Sequence, residues 1–214
     1  MTIRGDTRSK REVTMYRRWL ALVGCLAALG IQAAEKPPVS AAVERGVQRA
    51  CPIEDALVKK YPEEVVLITC VDTNGRPNVM TAGWTMLCSG SPPMVAVAIG
   101  KTRYTHAQIL ASKEFVLAMP SEGMKAAVLL CGTHSGRDTD KFKEAKLTAL
   151  TGLQVRAPLV GECLVNLECS LENTLDTGSH TIFVGRIVQA WVSTAQPEGK
   201  RLFNLGAGEF RGLP

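Results

Sequence analysis

Between Glu63 and Ile99 apolar runs alternate with tight-turn signals at intervals too short for a crossover helix, so neighbouring strands must pair antiparallel. "EEVVLITCVD" (63–72) reads as a strand, and "TNGRPN" supplies the Asn74, Gly75 pair that suits a hairpin turn. "NVMTAGWTML" (78–87) is the returning strand, weakened at Gly83. The Ser, Gly and Pro cluster from Ser89 to Pro93 turns the chain into "MVAVAI" (94–99), a continuous apolar strand.

Further along, "THAQILAS" (105–112) predicts a short helix in which Thr105 and Gln108 have capping-box spacing, and "EFVLAM" (114–119) another strand. "SEGMKAAVLL" (121–130) reads as a helix capped by Ser121, and "DTDKFKEA" (138–145) as one helical turn or two. Two long strands are expected within Cys163–Leu175 and Thr181–Val192; the glycine-rich tail from Pro197 reads as irregular. The expected fold is mainly β with short helices, a small, Greek-key-like antiparallel barrel rather than a doubly wound sheet.

Residues 35–60, which open with Pro37 and Pro38 and carry a short helix near Glu54 to Lys60, read as a lead-in to a single domain over 61–214. Residues 1–34 read as an export signal: Arg17 and Arg18, the apolar run Trp19 to Ile31, then Gln32, Ala33 and Ala34 as a small-residue exit. The arginine pair resembles a twin-arginine leader, and a compact leader results if Met15 is the start. Leu22 to Cys25 resembles a lipoprotein box with a very short apolar run before it, and an uncleaved anchor is the alternative that would touch a membrane. This leader also accounts for most of the charge. The formal net charge is +5, of which residues 1–34 carry +4, so the remainder lacks the basic surface a nucleic-acid binder needs.

Cys163, Val165, Leu167, Cys169 and Leu171 alternate with polar residues, as on a half-buried strand with its cysteines facing the core. Six residues along a strand span ~20 Å, too far for a disulfide or a shared zinc. Cys131 and His134 have the spacing of half a zinc site, but His106 and His180 each stand alone, so no metal is expected. No Gly-x-Ser-x-Gly elbow exists. "IGKT" (99–102) ends like a Walker loop but has Val95 where the first glycine belongs, and "GAGEFRG" (206–212) has no room for the helix a dinucleotide fingerprint requires.

Two segments seek anions. After the strand ending at Gly100, Lys101, Arg103 and Thr105 lead into a helix start, where free N–H groups and partial positive charge attract an anion; a solvated basic turn is the plain alternative. In "LLCGTHSGRDTDKF" (129–142), Gly132 and Gly136 permit close backbone approach, Thr133 and Ser135 can donate, and Arg137 and Lys141 add charge that Asp138 and Asp140 partly offset. Two such elements in one small barrel suggest a phosphorylated cofactor.

These segments, with "YPEEVVLITCVD", "NVMTAGWTML", "PPMVAVAIGKTRYTHAQI", "EFVLAMP", "APLVGECLVNLEC" and "SHTIFVGRIVQAWV", resemble in order the flavin reductase-like, flavoredoxin-type family over roughly Tyr61 to Val192. The resemblance implies an FMN-binding split β-barrel, usually a homodimer with flavin near the interface. It implies Asn78, Val79, Met80, Thr81 and Trp84 along the flavin ring and ribityl chain, although Met80 and Trp84 also read as barrel core. It implies Lys101, Arg103 and Thr105 at the phosphate, with Ser135, Gly136, Arg137 and Lys141 closing over the cofactor. The activity implied is an FMN-dependent oxidoreductase moving hydride or electrons through bound flavin; a non-enzymatic FMN-binding electron-transfer protein serving a redox partner is the alternative. Gly178, Ser179 and His180 depart from a Gly-Asp-His pattern of the family. The leader is a second departure, because export separates the chain from soluble NAD(P)H and favours a redox protein as donor.

Overall fold

The computed structural model describes residue 46 and residues 48–213, so the leader and the first part of the lead-in lie outside the described residues. The chain divides into two units, Met1–Pro52 and Ile53–Pro214. The described residues of the first are exposed and form no helix or strand. The second begins with α1 (Ile53–Leu57) and a 3-10 turn (Val58–Lys60), where the short helix was expected.

Its elements then run β1 (Glu63–Glu64), β2 (Val66–Val71), β3 (Pro77–Ala82), β4 (Thr85–Gly90), β5 (Pro93–Gly100), α2 (Tyr104–Ser112) and β6 (Glu114–Met119). After a 3-10 turn (Glu122–Met124) come α3 (Lys125–Thr133), α4 (Lys141–Glu144), β7 (Ala149–Leu150), β8 (Leu159–Val160), β9 (Val165–Asp176), β10 (His180–Val192), β11 (Arg201–Gly206) and β12 (Glu209–Leu213). One seven-stranded sheet has the order β3-β2-β6-β9-β10-β5-β4, antiparallel throughout. Its interior is filled by Ile68 of β2, Val97 of β5, Phe115 of β6, Cys169 of β9 and Phe183 of β10, with Ile109 of α2 packed among them. Residues from strands far apart in the order meet in one cluster because the sheet curls, and this makes the architecture a split β-barrel.

The split falls where Gly83 weakens the sequence pattern. The expected single strand over 78–87 divides into β3 and β4, the two edges of the sheet. Gly83 and Trp84 leave the ladder between them, and Trp84 is tied instead to β5 by the Ala98 N–H on its carbonyl (2.9 Å). A Cβ at Gly83 would come within 3.0 Å of Glu63 Oε1, so a glycine admits the Glu63 carboxylate there.

A second cluster covers the outer face of β2, β3 and β6: Leu67, Val79 and Val116 pack against Val128 of α3, Phe142 of α4 and Leu202 of β11. Three expectations change here. The tail is not irregular, because β11 and β12 form a hairpin turned by the positive-φ residues Gly206, Ala207 and Gly208, and β1 pairs with β11. Ser121 does not cap α3, since the 3-10 turn intervenes and Ser121 makes no side-chain cap bond. Cys163 precedes β9 and joins the outer cluster while Cys169 faces the interior, so the two do not share a face.

The polar side of β9 is also buried. Asn166 accepts from Val160 N (2.8 Å) and donates to Val160 O (3.1 Å), as a strand backbone would. Glu168 is fully buried and accepts from Leu153 N (3.0 Å), Gln154 N (2.7 Å), Val155 N (2.8 Å) and Trp191 Nε1 (2.7 Å). Burial opposes its ionisation, but the four donors outweigh that and hold the carboxyl below its ordinary range. Loss of its charge leaves buried N–H groups without an anionic acceptor.

Glu168→Gln is expected to lower stability by ~1.5–3 kcal/mol at pH 7, the worth of a charge-assisted bond. A depressed folded pKa contributes stability above the unfolded value and loses it as pH falls through the folded one, so urea midpoints of the two proteins should converge at acid pH.

Candidate functional site

A cavity of about 320 Å³ opens at one end of the barrel, at the lower end of the range for ligand pockets. The β3–β4 junction forms one wall through Met80, Thr81 and Trp84; the start of α2 forms another through Arg103 and Thr105. The end of α3 and the turn that follows close it with Ser135, Gly136 and Arg137, and Lys141 enters from α4. Nine of the residues singled out in the sequence therefore meet around one space.

The other three do not line it. Val79 points into the outer core and is fully buried. Asn78 lies behind the wall, where its Nδ2 donates to Thr105 Oγ1 (2.9 Å) and its Oδ1 is buried without a partner among the described residues. Lys101 turns away: its Nζ pairs with Asp176 Oδ2 at 2.7 Å, and its backbone N–H bonds Ser179 O at 3.1 Å, bracing the β9–β10 turn.

The basic start of α2 is built differently from the capping-box expectation. Arg103 occupies the N-cap position without a side-chain cap bond, and Thr105 lies inside the first turn, bonded to Asn78. The helix start thus keeps N–H donors that no side chain of its own satisfies. In the glycine-rich turn, Ser135 Oγ accepts from Arg137 N (3.2 Å), and its carbonyl accepts from Asp138 N (3.2 Å) and Thr139 N (3.1 Å). Gly136 is required sterically: a Cβ there would lie 2.0 Å from Asn78 Oδ1 and 2.9 Å from Tyr104 Cδ1.

Asp140 caps α4 through Lys143 N (3.2 Å), and among the described residues no carboxylate forms an ion pair with Arg103, Arg137 or Lys141. Lys141 is only 4% exposed. Its ammonium donates to two carbonyls at the end of α3, Cys131 O (3.1 Å) and His134 O (3.4 Å), where the helix dipole favours a cation. Burial first, and the neighbouring Arg103 charge in addition, pull its pKa below the ordinary lysine range. Three cations line one cavity and, among the described residues, none is paired with a carboxylate, an arrangement that can take up an anion.

The opposite end of the cavity has other chemistry. Trp84 is 55% exposed, so it is not barrel core, and its ring lies 4.9 Å from that of His180. Glu63 lines this end, paired with Lys60 and accepting from Asn204 Nδ2 (3.0 Å). Tyr104, Glu63 and His180 line the cavity without having been assigned to it from the sequence. Tyr104 lies between two residues that were, whereas Glu63 carries no sequence signal because its position depends on the β1–β11 pairing.

Comparison with known proteins agrees with this architecture. Residues 58–211 match the flavin reductase like domain. The chain belongs to the flavin reductase-like family. Among relatives of this family, an uncharacterized protein of Archaeoglobus fulgidus is 40% identical over 65% of this chain and 78% of its own. The NADH:riboflavin 5'-phosphate oxidoreductase of Streptomyces pristinaespiralis is 29% identical over 62% of this chain and 72% of its own. Among solved structures, flavoredoxin of Desulfovibrio vulgaris (Miyazaki F) superposes with a TM-score of 0.66 at 29% identity, covering 72% of this chain and 88% of that one.

Lys141→Met should raise the stability of the ligand-free protein by about 1 kcal/mol, because a desolvated ammonium with only carbonyl partners is replaced by an apolar side chain of similar length. Urea unfolding at pH 7 measures it, and a lower midpoint than wild type contradicts the account of an uncompensated charge.

Proposed function

We propose that this flavin reductase-like protein is an FMN-dependent oxidoreductase whose cavity holds the cofactor phosphate between α2 and the 135–137 turn. The observation that carries this reading is the buried, carboxylate-free Lys141 beside Arg103 and Arg137. A riboflavin tail without phosphate gives these cations nothing to neutralise. The wall from Met80 to Trp84 carries no charged side chain of its own and suits the ring. Bound FMN supplies the electron chemistry at its ring; the chain binds it, orients it and excludes water from its phosphate. The relative that acts on NADH and riboflavin 5'-phosphate, the latter being FMN by its chemical name, supports NAD(P)H as donor. The export leader read over residues 1–34 supports a redox protein instead.

We further propose a homodimer that pairs through β4. This strand is a sheet edge, and Met86 and Leu87 on it are 60% and 72% exposed beside the cavity wall. An unprotected apolar edge of this kind is ordinarily covered.

FMN should quench on binding the wild-type protein. Lys141→Met and Arg137→Ala should each raise the Kd for FMN roughly tenfold to hundredfold while changing riboflavin binding little, given ~1.5–3 kcal/mol per charge-assisted bond. Equal losses for both ligands contradict the phosphate assignment. Anaerobic mixing of the yellow protein with NADPH or NADH separates the two functions: rapid bleaching marks a reductase, and an unchanged spectrum marks an electron-transfer protein. Leu87→Asp should convert a sedimenting dimer to monomer; a monomeric wild type removes the interface.

A further inference from the structure

Resting on the flavin reading of the cavity, the geometry points to Asp72 and Arg76 as positioning residues that latch the two anion-binding elements to each other. They lie on the β2–β3 turn and do not line the cavity themselves. Asp72 Oδ1 accepts from Asn74 N (2.8 Å) and Arg76 N (2.9 Å), which fixes the carboxylate within its own hairpin. Its Oδ2 accepts from Tyr104 OH (3.2 Å) and Arg76 Nε (3.3 Å). Arg76 Nη2 then donates to Gly136 O (3.1 Å) and to Tyr104 OH (3.4 Å).

One guanidinium therefore joins the first residue of α2 to the middle of the glycine-rich turn, and one carboxylate closes the circuit. The circuit reaches the ligand cations through Tyr104, whose ring lies 5.5 Å from the Arg137 guanidinium carbon. The backbone N–H of Arg76 above all, joined by Asn74 N and the Tyr104 hydroxyl, holds the Asp72 carboxyl below its ordinary range.

A latch is needed here for an electrostatic reason. Arg103 at the start of α2, Arg137 on the turn and the buried Lys141 carry like charges around one cavity, so without a bound anion they repel. α2 is anchored to the barrel by Ile109, but among the described residues the 135–137 turn gains its cross-link to the β2–β3 hairpin through Arg76. Holding the cations at ligand-binding separation in advance reduces the ordering cost of binding. Gly136 serves the same end: with no Cβ its carbonyl reaches Arg76 while its backbone rests on Asn78 and Tyr104.

The test compares wild type, Arg76→Ala and Arg76→Lys as full-length proteins. In ligand-free Arg76→Ala, amide exchange at Asp138 and Thr139, both bonded to Ser135 O, should quicken about tenfold while β9 and β10 exchange as in wild type. The Kd for FMN should rise roughly fivefold to tenfold and that for riboflavin less than twofold, with Arg76→Lys recovering part of the loss. Unchanged exchange overturns the latch, and faster exchange with equal losses for both ligands overturns its role toward the phosphate. Wild-type protein that binds neither flavin refutes the cofactor reading alone, since the exchange measurement still decides whether the latch exists.

Discussion

An ammonium group buried at the end of a helix, with carbonyls for company and no carboxylate, is the interaction on which the remaining geometry depends. Lys141 can sit there because α3 ends beside it and presents Cys131 O and His134 O. Its charge remains unbalanced within the described protein, so folding alone does not explain it. The position makes physical sense once Arg103 and Arg137 are seen on the same cavity, because three elements then contribute one cation each to the anion site proposed above. Each element arrives from a different part of the chain, and the barrel brings them together.

The split in the barrel is what makes room for this arrangement. A closed ladder between β3 and β4 would use the backbone of Gly83 and Trp84 in strand pairing and turn their side chains into the core or the surface. Instead that segment bends away, Trp84 stands half in solvent against His180, and the stretch from Met80 to Trp84 lines the cavity. The helices lie at the same end because β5 leads directly into α2, and because Gly132 lets the end of α3 approach Thr81 of β3, where a Cβ would lie 3.3 Å from Thr81 Cβ.

Local patterns carried much of this in the sequence. The Asn74, Gly75 hairpin, the two-sided burial of β5 and the short helix after it follow from turn chemistry and periodicity, which act over a few residues. Glu168 and the tail were misread for a common reason. An alternating strand predicts a solvated polar face, yet the 153–155 segment folds over β9 and converts Glu168 from surface carboxylate to buried acceptor. The tail contains glycines that signal irregularity in isolation, but β11 finds a partner in β1, far away in sequence, and Leu202 joins the outer core. Neither event leaves a trace within a local window.

Lys101 and Lys141 show where motif reading ends and packing takes over. Both stand beside a helix start in basic, glycine-containing segments that read as anion-seeking. Lys101 follows the last residue of β5, and its long side chain reaches Asp176, whose carboxylate is also held by Gly178 N (2.9 Å); the pair is exposed, worth little in stability, and leaves that lysine neutralised. Lys141 instead begins α4, whose Phe142 is drawn into the outer core and carries its neighbour beneath the glycine-rich turn. Apolar burial of one residue thus decides the electrostatics of the next. What distinguishes the two lysines is not the sequence motif but whether the fold brings a carboxylate to each.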